Sequence, residues 1–127
     1  MELARTSDRV DNRVLRILIV EDSAIDYDFL AETLRRQGLA VDTHRVDSAA
    51  DMARALAESR WDAIISDHHL PGFSSNGALE VLRHSGLDLP FLIVSGTIGE
   101  DVAVDAMHRG ADDYLVKGRL ARLGAAL

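Results

Sequence analysis

Residues 14–23 read VLRILIVEDS, an almost continuously apolar, β-branched run that ends in two carboxylates and a serine. A strand that is buried on both faces has this kind of run, whereas a half-exposed strand alternates apolar and polar residues. Ser23 is a good N-cap, so a helix is predicted to begin directly after the strand. A doubly buried strand followed at once by a helix indicates a parallel α/β sheet.

The same alternation of strand and helix patterns continues to the end of the chain. Further strands are predicted at residues 40–46, 62–66, 91–95 and 113–116. Helices are predicted after Ser48, after a loop over residues 67–76, and after a capping box at residues 97–100 that Thr97 heads. Five strands that alternate with helices predict right-handed βαβ units and a parallel sheet covered on both faces.

The first and the last predicted helices carry separate expectations. The first is predicted to end at Gly38 and to face the sheet with an apolar stripe formed by Ile25, Phe29, Leu30, Thr33 and Leu34. The last, over residues 120–127, is short for a helix at the edge of a sheet, which favours a chain cut from a longer protein.

The composition fits one acidic globular domain. The chain has 127 residues, 47% of them hydrophobic, a net charge of −7 and no cysteine. It has no apolar run long enough for a membrane span and no signal peptide, so a cytoplasmic protein without membrane contact is predicted. The negative charge argues against nucleic-acid binding. Residues 1–13 are predicted to be a flexible N-terminal arm and residues 14–127 the folded domain.

Polar side chains stand where the predicted strands end. These are Glu21 and Asp22 after the first strand, Asp67 after the third, Ser95 in the fourth and Lys117 after the fifth. Carboxyl ends of parallel strands lie at the edge where such folds bind ligands. Crowded carboxylates need a cation, and this oxygen-rich set suits Mg²⁺. A carboxylate is also a nucleophile that needs no general base, and metal and lysine would offset the charge of a transferring phosphoryl group.

Several of these residues also have a plainer interpretation. Glu21 and Asp22 would favour a helix N-terminus, and Tyr114 would pack in the core. The adjacent His68 and His69 would point in opposite directions from an extended segment and so would not share one metal ion. The plain interpretations need a separate coincidence at every strand end, so we favour a shared site.

Four short motifs resemble the receiver domain of two-component response regulators. They are ILIVEDS at residues 17–23, SDHHLPG at 66–72, VSGT at 94–97 and GADDYLVK at 110–117. The resemblance covers the chain from about residue 14 to its end. It implies a doubly wound, flavodoxin-like α/β fold whose five-stranded parallel sheet has the order 2-1-3-4-5.

The resemblance implies an acceptor and a metal site. Asp67 would accept a phosphoryl group from a histidine kinase or a histidine phosphotransfer protein. Asp22 and Asp67 would ligate Mg²⁺ directly, Glu21 would act through water, and the backbone carbonyl of His69 would complete the site. The chain would catalyse its own phosphorylation and dephosphorylation and turn over no separate substrate.

The resemblance also implies how the signal leaves the site. Ser95 and Lys117 would bind the phosphoryl oxygens, and Tyr114 would be an aromatic switch that swings inward as Ser95 approaches the phosphoryl group. The output surface would be the face formed by the fourth helix, the fifth strand and the last helix, near Ile98 and Val102. A homodimer would form through the same face.

Three departures from the family pattern leave an alternative open. Gly77 comes ten residues after the acceptor instead of about eight, Gly118 replaces the family's cis-proline, and His69 lies beside the path of an attacking water. The alternative is a pseudo-receiver that has the fold but serves only protein interaction or dimerisation. A phosphatase with an aspartate nucleophile ranks last, because His69 stands where such enzymes have a second carboxylate. Details of three motifs resemble receivers attached to sensor kinases or phytochrome systems.

Overall fold

Five strands and five helices alternate along the residues that the computed structural model describes, which are 14–68, 72–96 and 99–127. The strands are β1 (Leu15–Val20), β2 (Val41–Val46), β3 (Ala63–Asp67), β4 (Phe91–Ser95) and β5 (Asp113–Val116). The helices are α1 (Ala24–Arg36), α2 (Ala49–Glu58), α3 (Ser75–Ser85), α4 (Glu100–His108) and α5 (Leu123–Ala126). The arm predicted at residues 1–13 lies outside the described residues.

All five strands are parallel and lie in one sheet in the order β2-β1-β3-β4-β5. Within it, β1 is a central strand, because Ile17 pairs with Thr43 on one side and with Ala63 on the other. Every residue of β3 and β4 is buried. The predicted doubly wound, flavodoxin-like fold is therefore confirmed.

Side chains that alternate along the strands fill two cores, one on each face of the sheet. Leu18 and Val20 point to the core covered by α2, α3 and α4. Ile17 and Ile19 point to the core covered by α1 and α5. A strand with a core on both sides needs apolar residues at consecutive positions, which explains the apolar run of β1.

The predicted inner stripe of α1 is partly wrong. Leu30 and Leu34 are fully buried, but Ile25 and Phe29 are 81% and 49% exposed. The buried face consists of Leu30 and Leu34 with Tyr27 packed beside them, at spacings of three and four residues. Ile25 precedes Tyr27 by two residues, which is about 200° around the helix axis, and so it lies on the opposite side.

Two helices begin at other residues than predicted. Helix α3 begins at Ser75, inside the predicted loop, because Ser74 caps it by accepting a hydrogen bond from the Gly77 amide at 3.2 Å. Helix α4 begins after the N-cap Gly99, which makes no side-chain cap bond. Thr97, the predicted cap, lies outside the described residues.

The C-terminal segment, residues 117–127, is held against α1 by one glutamine. Gln37 donates from Nε2 to the Leu120 carbonyl at 2.7 Å, and its Oε1 accepts from the Gly124 amide at 2.6 Å. Leu120 and Leu123 are buried in the core below, so α5 is firmly packed although it is shorter than the predicted helix. Among the residues that the structure describes, no helix is long and apolar enough to span a membrane.

Candidate functional site

Backbone pairing brings four of the predicted site residues to one edge of the sheet. Asp67 ends β3 and Ser95 ends β4, while Glu21 and Lys117 directly follow β1 and β5. The backbone N–H of Lys117 donates to the Ser95 carbonyl at 2.7 Å, and that of Glu21 donates to the Val46 carbonyl at 2.9 Å. Because Glu21, Asp67 and Ser95 are also buried, the sheet itself fixes their positions.

Three carboxylates form an acidic cluster at this edge. One oxygen each of Glu21, Asp22 and Asp67 lies within 4.8 Å of the others. Burial raises the pKa of Glu21, hydrogen bonds from Lys117 and from the Ser23 amide lower it, and the charge of Asp67 raises it again, so that the pKa ends above its ordinary value. Crowded, hard oxygen donors of this kind fit a divalent cation such as Mg²⁺.

Lys117 is shared among three carboxylates. Its Nζ lies 2.8 Å from Asp26 Oδ2, 3.0 Å from Glu21 Oε1 and 3.5 Å from Asp67 Oδ2. Burial by itself would lower the pKa of Lys117, but the hydrogen bonds to Asp26 and Glu21 and the charge of Asp67 outweigh burial and raise the pKa. The ammonium is therefore charged at neutral pH.

Asp26 is a site residue that the sequence analysis did not select. It lies in the first turn of α1, where its backbone N–H donates to Ser23 Oγ at 3.2 Å. Its carboxylate is the nearest partner of Lys117. A signal for the lysine itself was present, because Lys117 is the only lysine among 14 lysines and arginines.

His68 connects the acceptor strand to α3 and to the predicted switch residue. Its Nδ1 lies 2.7 Å from Ser75 Oγ, and its backbone N–H donates to the Val94 carbonyl at 3.0 Å. Its ring meets the half-buried ring of Tyr114 edge-on, with the centroids 6.0 Å apart. His69 lies outside the described residues, so its roles in metal binding and hydrolysis stay predictions.

Neither glycine departure displaces a site residue. The Lys117–Gly118 peptide is trans, and Lys117 still reaches the acidic cluster. Gly77 lies in the first turn of α3 instead of in the loop before it.

Comparisons with known proteins agree with this geometry. The family profile described as a response regulator receiver domain matches residues 17–127. The chain is 36% identical over 107 residues to the response regulator protein FleR of Pseudomonas aeruginosa, which is 84% of this chain and 22% of FleR. It is 37% identical over 105 residues to the transcriptional regulatory protein PrrA of Mycobacterium tuberculosis, which is 80% of this chain and 43% of PrrA. The chain thus spans less than half the length of either relative.

Solved structures share the fold. The receiver domain of the sensor histidine kinase PA1611 from Pseudomonas aeruginosa PAO1, crystallised with a magnesium ion coordinated in the active site cleft, matches with a TM-score of 0.69 and 23% identity. The match covers 87% of this chain and 94% of that one. With the profile match over residues 17–127 and the two curated relatives, the comparisons show that this chain belongs to the response regulator receiver domain family.

Proposed function

We propose that this receiver domain takes a phosphoryl group onto Asp67, with Mg²⁺ as cofactor and a histidine kinase or a histidine phosphotransfer protein as donor. The observation that carries the proposal is the meeting of Asp67 with two further carboxylates and Lys117 at the carboxyl edge of the sheet. A nucleophilic carboxylate beside a cation site and an ammonium is what phosphoryl transfer to aspartate requires.

In the proposed reaction, an oxygen of Asp67 forms a bond to phosphorus while the bond from phosphorus to the donor's imidazole nitrogen breaks. Water later attacks the phosphorus, which returns the Asp67 carboxylate and inorganic phosphate. The bound phosphoryl group carries more negative charge than the carboxylate that it modifies. The residues around it therefore act mainly by placing positive charge.

Glu21, Asp22 and Asp67 would hold the metal, and the backbone carbonyl of His69 is a further proposed ligand. A bound Mg²⁺ would neutralise charge on the transferred oxygens. Two features support this assignment: the crowding of three carboxylates and the magnesium ion in the cleft of the PA1611 receiver domain.

Ser95, Lys117 and Tyr114 would carry the response. The first two would bind phosphoryl oxygens, and the ring of Tyr114 would move inward as Ser95 shifts toward the phosphoryl group. Helix α4, β5 and α5 would form the output and homodimer face. Exposed apolar side chains on α4 support this surface, namely Val102, Val104 and Met107.

Intact-mass analysis after incubation with Mg²⁺ and acetyl phosphate tests the proposal. We expect one added phosphoryl group on the wild type and none on Asp67→Asn. Asp101→Asn is the matched control, because it removes the same charge from an exposed position on α4 and should leave phosphorylation intact. An adduct on Asp67→Asn, or none on the wild type with any donor or cognate kinase, would contradict the proposal.

The pseudo-receiver alternative is favoured by one observation, the 3.5 Å separation between Lys117 Nζ and Asp67 Oδ2. This distance is longer than a charge-assisted hydrogen bond of about 2.7–2.9 Å. An NMR titration with Mg²⁺ separates the two functions. A phospho-accepting domain should show shifts of the amides around Asp22 and Asp67, whereas a pseudo-receiver should show none.

A further inference from the structure

The nearest partner of Lys117 is a carboxylate outside the acidic cluster. Asp26 Oδ2 lies 2.8 Å from Nζ, whereas Asp67 Oδ2 lies at 3.5 Å. Only the shorter distance falls in the range of a charge-assisted hydrogen bond, about 2.7–2.9 Å. Asp26 therefore holds the lysine in preference to the proposed acceptor.

The two hydrogen-bonded partners of Lys117 differ in burial. The side chain of Glu21 is 0% exposed and that of Asp26 is 45% exposed. Taking the ammonium from a buried carboxylate leaves an uncompensated charge, which is costly. An exposed carboxylate is rehydrated by water and loses little. If Lys117 is drawn toward Asp67, the contact that gives way is the one with Asp26.

We propose that Asp26 is a positioning residue that competes with the phosphoryl group for the ammonium of Lys117. The inference rests on the proposed function. The cap bond from the Asp26 amide to Ser23 Oγ fixes the backbone at the start of α1, so the carboxylate stays within reach of Lys117. On phosphorylation, the lysine leaves Asp26 for a phosphoryl oxygen and keeps its bond to Glu21.

Binding of beryllium fluoride in the presence of Mg²⁺ tests the competition, because this complex is a non-covalent analogue of an aspartyl-bound phosphoryl group. Asp26→Asn keeps the shape of the side chain and removes its charge. We expect the Kd from titration calorimetry to fall about two- to fivefold, the range that corresponds to an exposed ion pair. Asp26→Glu restores the charge and should restore the wild-type Kd.

A second readout follows the lysine directly. Because the chain has a single lysine, protein labelled with ¹⁵N-lysine gives one Nζ signal. In metal-free protein, Asp26→Asn should shift this signal or speed its exchange with water. Asp28→Asn is the control, since it removes the same charge from an exposed position on the same helix. It should change neither the signal nor the Kd.

The outcomes separate this inference from the proposed function. A wild type that binds beryllium fluoride, with an Asp26→Asn variant that binds it equally or more weakly, overturns the competition alone. An Nζ signal that is the same in wild type and Asp26→Asn overturns the contact itself. A wild type that binds no beryllium fluoride with Mg²⁺ removes the proposed function, and the role of Asp26 falls with it.

Discussion

Neutralising Asp22 should stabilise the metal-free protein. Asp22 is the exposed member of the acidic cluster. Lys117 is bound by Glu21, Asp26 and Asp67, so Asp22→Asn removes repulsion without removing any of these ion pairs. The amide has nearly the shape of the carboxylate, and the change is therefore mainly one of charge.

The size of the effect follows from two opposing terms. At 4.8 Å, the largest separation within the cluster, two like charges repel by about 0.9 kcal/mol at the dielectric of water, or about 1.7 kcal/mol for the pairs with Glu21 and Asp67. Against this, Asp22 precedes the Ser23 cap of α1, where a negative charge contributes about 0.3–1 kcal/mol. Repulsion wins, and we expect a net gain of about 1 kcal/mol in the free energy of unfolding.

Urea unfolding in EDTA measures this gain, and added salt should reduce it, because at 1 M salt the Debye length is about 3 Å. Saturating Mg²⁺ should reverse the order of stability, since the wild type keeps a metal ligand that Asp22→Asn lacks. Asp28→Asn controls for the loss of one negative charge from α1. The reasoning fails if Asp22→Asn is less stable than the wild type in EDTA, or if Mg²⁺ stabilises both proteins equally.

Three further changes test other parts of the structure. Because the folded protein raises the pKa of Glu21, its ionisation destabilises the fold as pH rises above the ordinary glutamate value of about 4.3; in EDTA, Glu21→Gln should be more stable than the wild type at pH 7 and no more stable at pH 4 by urea unfolding. Gln37→Ala removes two hydrogen bonds to the C-terminal segment and should cost about 1–3 kcal/mol, with faster amide exchange in residues 117–127; unchanged exchange would contradict the anchoring role. Leu30→Ala should cost about 2–5 kcal/mol and Ile25→Ala less than about 0.5 kcal/mol, and equal midpoints in urea would contradict the burial of α1.

The sheet could be predicted because its strands leave little choice. Strands β3 and β4 are buried along their whole length, so their sequences are apolar throughout and each ends at a polar residue. Helix α1 was harder, because it has apolar residues on two sides. Ile25 and Phe29 fit a helical spacing as well as Leu30 and Leu34 do, and only the position of the sheet decides which pair is buried.

The site shows the same division. Glu21, Asp67, Ser95 and Lys117 could be selected because a strand end gives each a place at the edge of the sheet. Asp26 had no such marker. It lies one turn into a helix, and its role depends on where a lysine 91 residues later comes to rest. Sequence patterns report local geometry, and this contact is set by packing between distant elements.

The charge balance of the pocket explains why one lysine serves three partners in a chain that otherwise uses arginine. An ammonium is a compact charge with three donors, whereas a guanidinium is a planar fork suited to one carboxylate at a time. With Asp26 included, four carboxylates surround one cation, so negative charge remains in excess. A phosphoryl group on Asp67 would increase that excess. The proposed transfer therefore requires both a divalent ion in the acidic cluster and a lysine that can leave Asp26.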